Sequence, residues 1–103
     1  MLISSQELQI GQFVKSRSGR DKGKVLIVTK IIDDKYVEVV DGDLRKLENP
    51  KKKKVMHLIK MGEPDEEIQN RILEAHAIND AWIRKRVADR LNQVPVRRND
   101  SNG

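Results

Sequence analysis

Between Lys15 and Lys24 the chain gathers Lys15, Arg17, Arg20, Lys22 and Lys24 around two glycines, Gly19 and Gly23. Cations at this density on a short loop suit contact with the phosphates of a nucleic acid. Gly19 can take a turn conformation closed to other residues, and Gly23 lets the chain reverse tightly or lets a phosphate approach closely. Arg17, Arg20, Lys22 and Lys24 are the leading candidates for phosphate contacts, with Gly23 shaping the loop. Further along, Arg45 and Lys46 precede the run Lys51-Lys52-Lys53-Lys54. With Lys15 and Lys30, these six are read as extending one basic face. Taken alone, the lysine run equally suits a polar linker, an edge strand guarded by charge or an anionic lipid surface.

No other residues form a reactive constellation. His57 and His76 fall in different expected elements, and neither has a partner at metal-ligand spacing. Asp33-Asp34 and the pair Asp41 and Asp43 suggest a cation site only superficially, because turn chemistry accounts for both. Ser4, Ser5, Ser16 and Ser18 lack an activating base. The chain has no cysteine, so disulfides and thiolate metal sites are excluded. No catalytic, cofactor or metal residue is assigned, and a binding protein rather than an enzyme is expected. The aromatics are Phe13, Tyr36 and Trp82 alone. So few rings argue against a base-stacking platform and for recognition of folded RNA by its backbone and shape.

Charge distribution points the same way. The chain has 21 Lys and Arg against 16 Asp and Glu, for a net +5. Residues 1–62 hold 14 basic and 8 acidic side chains, whereas residues 63–103 hold 7 and 8. The excess is therefore confined to the first part, which suggests a polyanionic partner. No apolar run approaches the roughly 20 residues that span a bilayer, and residues 1–8 lack a signal-like pattern. A cytoplasmic location is expected, with neither a membrane nor a small-molecule substrate as partner.

Positioning these residues calls for a small β structure. Residues 12–15, 24–32, 36–40, 44–47 and 55–58 read as short strands, with Asp41-Gly42 as a hairpin signal and Asn49-Pro50 as a break. Connections this tight leave no room for crossover helices and favour a small barrel or sandwich. Beyond it, Pro64 suits a first helical position, Asp65-Glu66-Glu67 a helix N-terminus, and Ile68, Ile72 and Ala75 a helical stripe. Asn79-Asp80 offers a second N-cap ahead of Trp82, Ile83, Val87 and Leu91. Two short helices are expected in place of one, with Arg84, Lys85, Arg86 and Arg90 favouring the dipole at the second helix's end. The division is a barrel over 8–60, a helical appendage over 64–92 and a disordered polar tail over 95–103.

The segment Phe13–Ile32 resembles the KOW motif, a strand–loop–strand element of SH3-like barrels. The match lies in Val14, the Gly19-Arg20-Asp21-Lys22-Gly23-Lys24 loop, and the apolar Val25, Ile27 and Val28. Gly23 falls on the motif's glycine. The layout of residues 8–60 is similar to bacterial KOW-domain proteins related to large-subunit ribosomal proteins of the archaeal and eukaryotic type. This resemblance implies a mainly β fold with an α appendage, an SH3-like barrel of about five strands, and RNA binding. The RNA it implies is ribosomal RNA of the large subunit, which would make the protein ribosome-associated and place it in translation. KOW motifs also occur in NusG-type elongation factors. The alternative is therefore a protein-interaction module of a transcription or translation factor that uses the barrel and the C-terminal helices.

Overall fold

The computed structural model describes residues 7–92. Five strands form one antiparallel sheet: β1 (Phe13–Ser16), β2 (Val25–Ile31), β3 (Tyr36–Val40), β4 (Lys51–Lys54) and β5 (Leu58–Lys60), in the order β4-β3-β2-β1-β5. Two helices follow, α1 (Glu66–Leu73) and α2 (Asp80–Asn92). The protein is thus mainly β with an α appendage. The sheet's two edge strands, β4 and β5, are separated in sequence by Val55–His57 alone, a single 3-10 turn. In a flat sheet, four strand spacings of about 4.8 Å would hold those edges about 19 Å apart. Four Cα steps reach only about 14 Å when fully extended. The sheet therefore has to curl and bring its edges together, which makes it barrel-like.

Curling gives the sheet two distinct faces. Inside lie Leu8, Val14, Leu26, Val28, Val37, Val39, Val55 and Leu58, all buried. On the outer face Phe13, Val25, Ile27 and Val40 meet Ile68 of α1 and Ile83 of α2. Strands β2 and β3 thus feed both clusters by simple alternation, and their residues are apolar on both sides. Ile68 and Ile83 are fully buried, each contributing about 1.5–3 kcal/mol of apolar burial. Trp82 and Val87 pack against the same cluster, which places the apolar stripe of α2 on the barrel. Leu91, the last residue of that stripe, is 49% exposed.

The helix boundaries follow local cap chemistry. The Asp65 carboxylate accepts the Ile68 amide at 3.0 Å, so Asp65 is the N-cap of α1. Pro64 therefore precedes the cap and does not occupy the first helical turn. The Asn79 side chain accepts the Trp82 amide at 2.8 Å and caps α2. Ala75 is not part of the apolar stripe, since α1 has already ended at Leu73. It takes a left-handed φ of 57°, with its amide bonded to the Ile72 carbonyl and that of His76 to the Arg71 carbonyl. That pair of bonds closes the helix in a Schellman motif.

Of the expected strands, one is absent and one is displaced. Residues 44–47 form bends and irregular loop, with a turn beginning at Leu47. The Asp41 carboxylate accepts the amides of Asp43 and Arg45, so Asp41-Gly42 opens a long loop in place of a tight hairpin. Val55–His57 is the 3-10 turn, and the final strand is Leu58–Lys60. The strand paired with β3 is Lys51–Lys54, the charge-guarded edge strand that the lysine run equally suited.

The long loop is fastened to α2. The Asp80 carboxylate accepts the Leu47 amide at 2.8 Å, and the Arg84 guanidinium donates to the Gly42 carbonyl at 2.6 Å. Gly42 has a φ of +79°, and a Cβ there would crowd the Asp80 carbonyl oxygen and lie 2.9 Å from the Arg84 nitrogen. Both obstacles are helix backbone, which cannot step aside as a side chain could. Gly42→Ala is therefore expected to cost about 2 kcal/mol and to lower the melting temperature by about 8–16 °C. An unchanged thermal melt by circular dichroism would show that the loop yields.

Candidate nucleic-acid interface

The β1–β2 loop is closed at its base by backbone hydrogen bonds from the Gly23 amide to the Ser16 carbonyl (2.8 Å) and from the Ser16 amide to that of Lys24 (3.0 Å). Its middle, Gly19–Asp21, is a 3-10 turn. The arrangement hinges on Asp21, which is 1% exposed at the centre of a basic loop. Arg45 grips its carboxylate through Nη2 at 3.0 Å and Nε at 3.3 Å. Lys53 brings Nζ to 3.9 Å and donates to the Ser18 carbonyl at 3.2 Å. With Asp21 drawn inward, its neighbours Arg20 and Lys22 are exposed, as is Arg17, while Lys24 is half-buried. The Arg17 amide donates to the His57 carbonyl at 2.8 Å, tying the loop's first residue to the 3-10 turn before β5.

Gly23 has a φ of +85°, and nothing lies within 4 Å of where its Cβ would stand. Glycine is thus required by backbone conformation, while its free side stays open to a ligand. Gly23→Ala is expected to cost about 1 kcal/mol, a fall of about 4–8 °C in melting temperature. Gly23→Asn should cost less, since Asn tolerates the left-handed region better. Equal melting of both variants and the parent would show that the loop does not depend on that φ.

The other candidate residues do not form one continuous face. Lys53 is buried and the half-buried Arg45 turns toward Asp21, so both are committed to holding the loop. Strand alternation divides the lysine run. Lys51 and Lys53 pair with Val39 and Val37, while Lys52 and Lys54 pair with Glu38 and Tyr36 on the other face. Lys30 joins this second group opposite Glu38, and the Lys52 ammonium lies 4.5 Å from the Tyr36 ring centre. The group sits at the far end of β2 from the loop, about 16 Å along the strand. That exceeds the Debye length of about 8 Å at physiological salt, so the two groups act separately on exposed charges. Lys15 stays with the loop, opposite Val25 on one side and Ile59 on the other. Lys46 and Lys51 are exposed in and after the loop that follows β3.

Helix cations behave differently. Arg86 pairs with Asp65 and Glu67, Arg71 with Glu67, and Lys85 with Asp89. Arg90 donates to the Met61 carbonyl at 2.8 Å, and Arg71 and Arg86 flank the Trp82 ring at 5.0 and 5.6 Å. With Arg84 on Gly42, every cation of the two helices is engaged within the protein. Among the described residues, by contrast, Arg17, Arg20, Lys22 and Lys24 form no ion pair.

Asp33 and Asp41 are turn residues, each accepting two backbone amides. His76 is exposed beside Glu74. Among the described residues no cluster of His, Asp or Glu could hold a metal ion, and no helix is long and apolar enough to cross a membrane. The polar stretch from Pro95 lies outside the described residues. No family model matches the chain, and no curated protein matches it in sequence.

Proposed function

We propose that this protein is a KOW-type RNA-binding module whose SH3-like barrel docks on structured RNA through the β1–β2 loop. The observation that carries this reading is the contrast in cation use. The helices engage all of theirs internally, whereas the loop buries its one acid and leaves four cations without a counter-ion among the described residues. The loop backbone that carries these cations is fixed by its own hydrogen bonds, and phosphate contacts of this kind supply most of a sequence-independent affinity. Lys15, beside the loop, extends the contact, and the Lys30, Lys52 and Lys54 group supplies a separate one. Ribosomal RNA of the large subunit is the proposed partner, in the cytoplasm, on the strength of the layout of residues 8–60. The module binds and does not catalyse. A protein partner held by the helices is less favoured, because Ile68, Ile83, Trp82 and Val87 already pack on the sheet.

Sedimentation of cell extract through a sucrose gradient tests this reading. The full chain should travel with large subunits at low salt and remain at the top at high salt, as expected when phosphates dominate the contact. A protein that stays at the top at both salts, with no ribosomal RNA recovered after crosslinking, would refute the ribosomal assignment.

A further inference from the structure

Beside the proposed phosphate-binding loop lies an open groove of about 460 Å³, within the size range of small-molecule clefts. Its lining joins Gly23 and Lys24 to the turn bearing Asp41 and Asp43 and to α2, which contributes the apolar Val87, Ala88 and Leu91 beside Arg84. The two carboxylates are not equivalent. That of Asp41 is engaged by the amides of Asp43 and Arg45. The exposed Asp43 carboxylate has no hydrogen bond or ion pair among the described residues.

A free carboxylate next to a phosphate-binding loop repels an RNA backbone. It becomes favourable only where the RNA offers hydrogen-bond donors, which are single hydroxyls on the ribose and N–H groups on the base edges. Of the four bases, guanine alone presents two adjacent donors, N1–H and the 2-amino group, on its Watson–Crick edge. A carboxylate accepts both at once. An unpaired base also needs apolar surface against its faces, which Val87, Ala88 and Leu91 supply, while Lys24 lines the groove where the attached phosphate would lie. We infer that this groove receives one unpaired guanosine of the bound RNA, its Watson–Crick edge read by Asp43 and its phosphate held at Lys24. The inference rests on the RNA-binding reading above and adds base selectivity to it.

The test uses the full chain and four labelled RNA hairpins that differ only in one bulged nucleotide: guanosine, inosine, adenosine or uridine. The guanosine hairpin should bind roughly ten- to a hundredfold more tightly than the adenosine or uridine hairpins. Inosine, which lacks the 2-amino group, should fall between. Asp43→Asn keeps the side chain's size and should abolish the preference, so that all four hairpins bind alike. Ala88→Glu, at an exposed helix position, should abolish it by filling the groove. If all four hairpins bind the parent equally, or if Asp43→Asn keeps the preference, the groove is not a guanosine site, although the loop reading stands. If none of the hairpins binds even at low salt, the RNA-binding reading fails, and this inference with it.

Discussion

Replacing Arg17, Arg20, Lys22 and Lys24 together with Ala is expected to lower affinity for structured RNA roughly a thousandfold at 0.1 M salt. The magnitude follows from counterion release. Each neutralised phosphate contributes about 0.7 to 0.9 to the slope of log affinity against log salt, so four lost contacts flatten that slope by roughly 3 to 4. Because the electrostatic term fades toward 1 M salt, the same figure sets the loss in decades at 0.1 M. The fold should survive, since three of the four side chains are exposed and none forms an ion pair among the described residues. Surface substitutions of this kind usually change stability by under about 0.5 kcal/mol each. Filter binding across a salt series measures both quantities. A quadruple variant with the parent's affinity and slope would remove the loop from the interface.

Asp21→Ala is expected to have the largest effect on stability, about 3 kcal/mol, or a melting temperature lower by about 12–24 °C. The cost comes less from the lost pair than from the cation left behind. Lys53 is 8% exposed and would hold an uncompensated charge in the barrel's interior. Arg45, with a side chain 26% exposed, can turn toward water, which sets the figure at the lower end of the usual range. The double variant Asp21→Ala/Lys53→Met should recover part of the loss, because it removes the stranded charge and keeps an apolar stem of similar length. Thermal and urea unfolding of the two variants decide the matter. If the single variant melts like the parent, or if the double variant melts lower than the single, Asp21 is not the anchor described here.

The sequence discloses what local chemistry controls. Asn79 announces a helix start because a cap bonds an amide three residues on, the acids Asp65-Glu66-Glu67 mark the other start through the helix dipole, and Val25–Val28 announces a strand because its own side chains demand burial. β4 stands in the sequence only as one option beside a linker or a lipid-facing run, because four lysines show no alternation and have low strand propensity; its place is set by β3, through pairs such as Val37 and Lys53. Asp21 reads as one more solvated charge until the fold carries Arg45 and Lys53 to it from 24 and 32 positions away. One trace was present, a single acid amid five cations. The candidate loop was thus legible in its composition, and its geometry was not. In the sequence the helix arginines stand as dipole partners, although Arg84 and Arg90 bind carbonyls 42 and 29 residues distant, contacts for which no short pattern exists.

The placement of Ile68 and Ile83 on the outer sheet face bears on how this module could be cut or moved. Phe13, Val25, Ile27 and Val40 are covered by the helices, so a barrel ending at Met61 would present them bare, a patch of the kind that drives aggregation. Barrel and helices are therefore expected to lose amide-exchange protection together, as one cooperative folding unit. A graft into another protein, or a minimal fragment for spectroscopy, has to carry residues 8–92 whole, even if every contact with RNA falls within the first half.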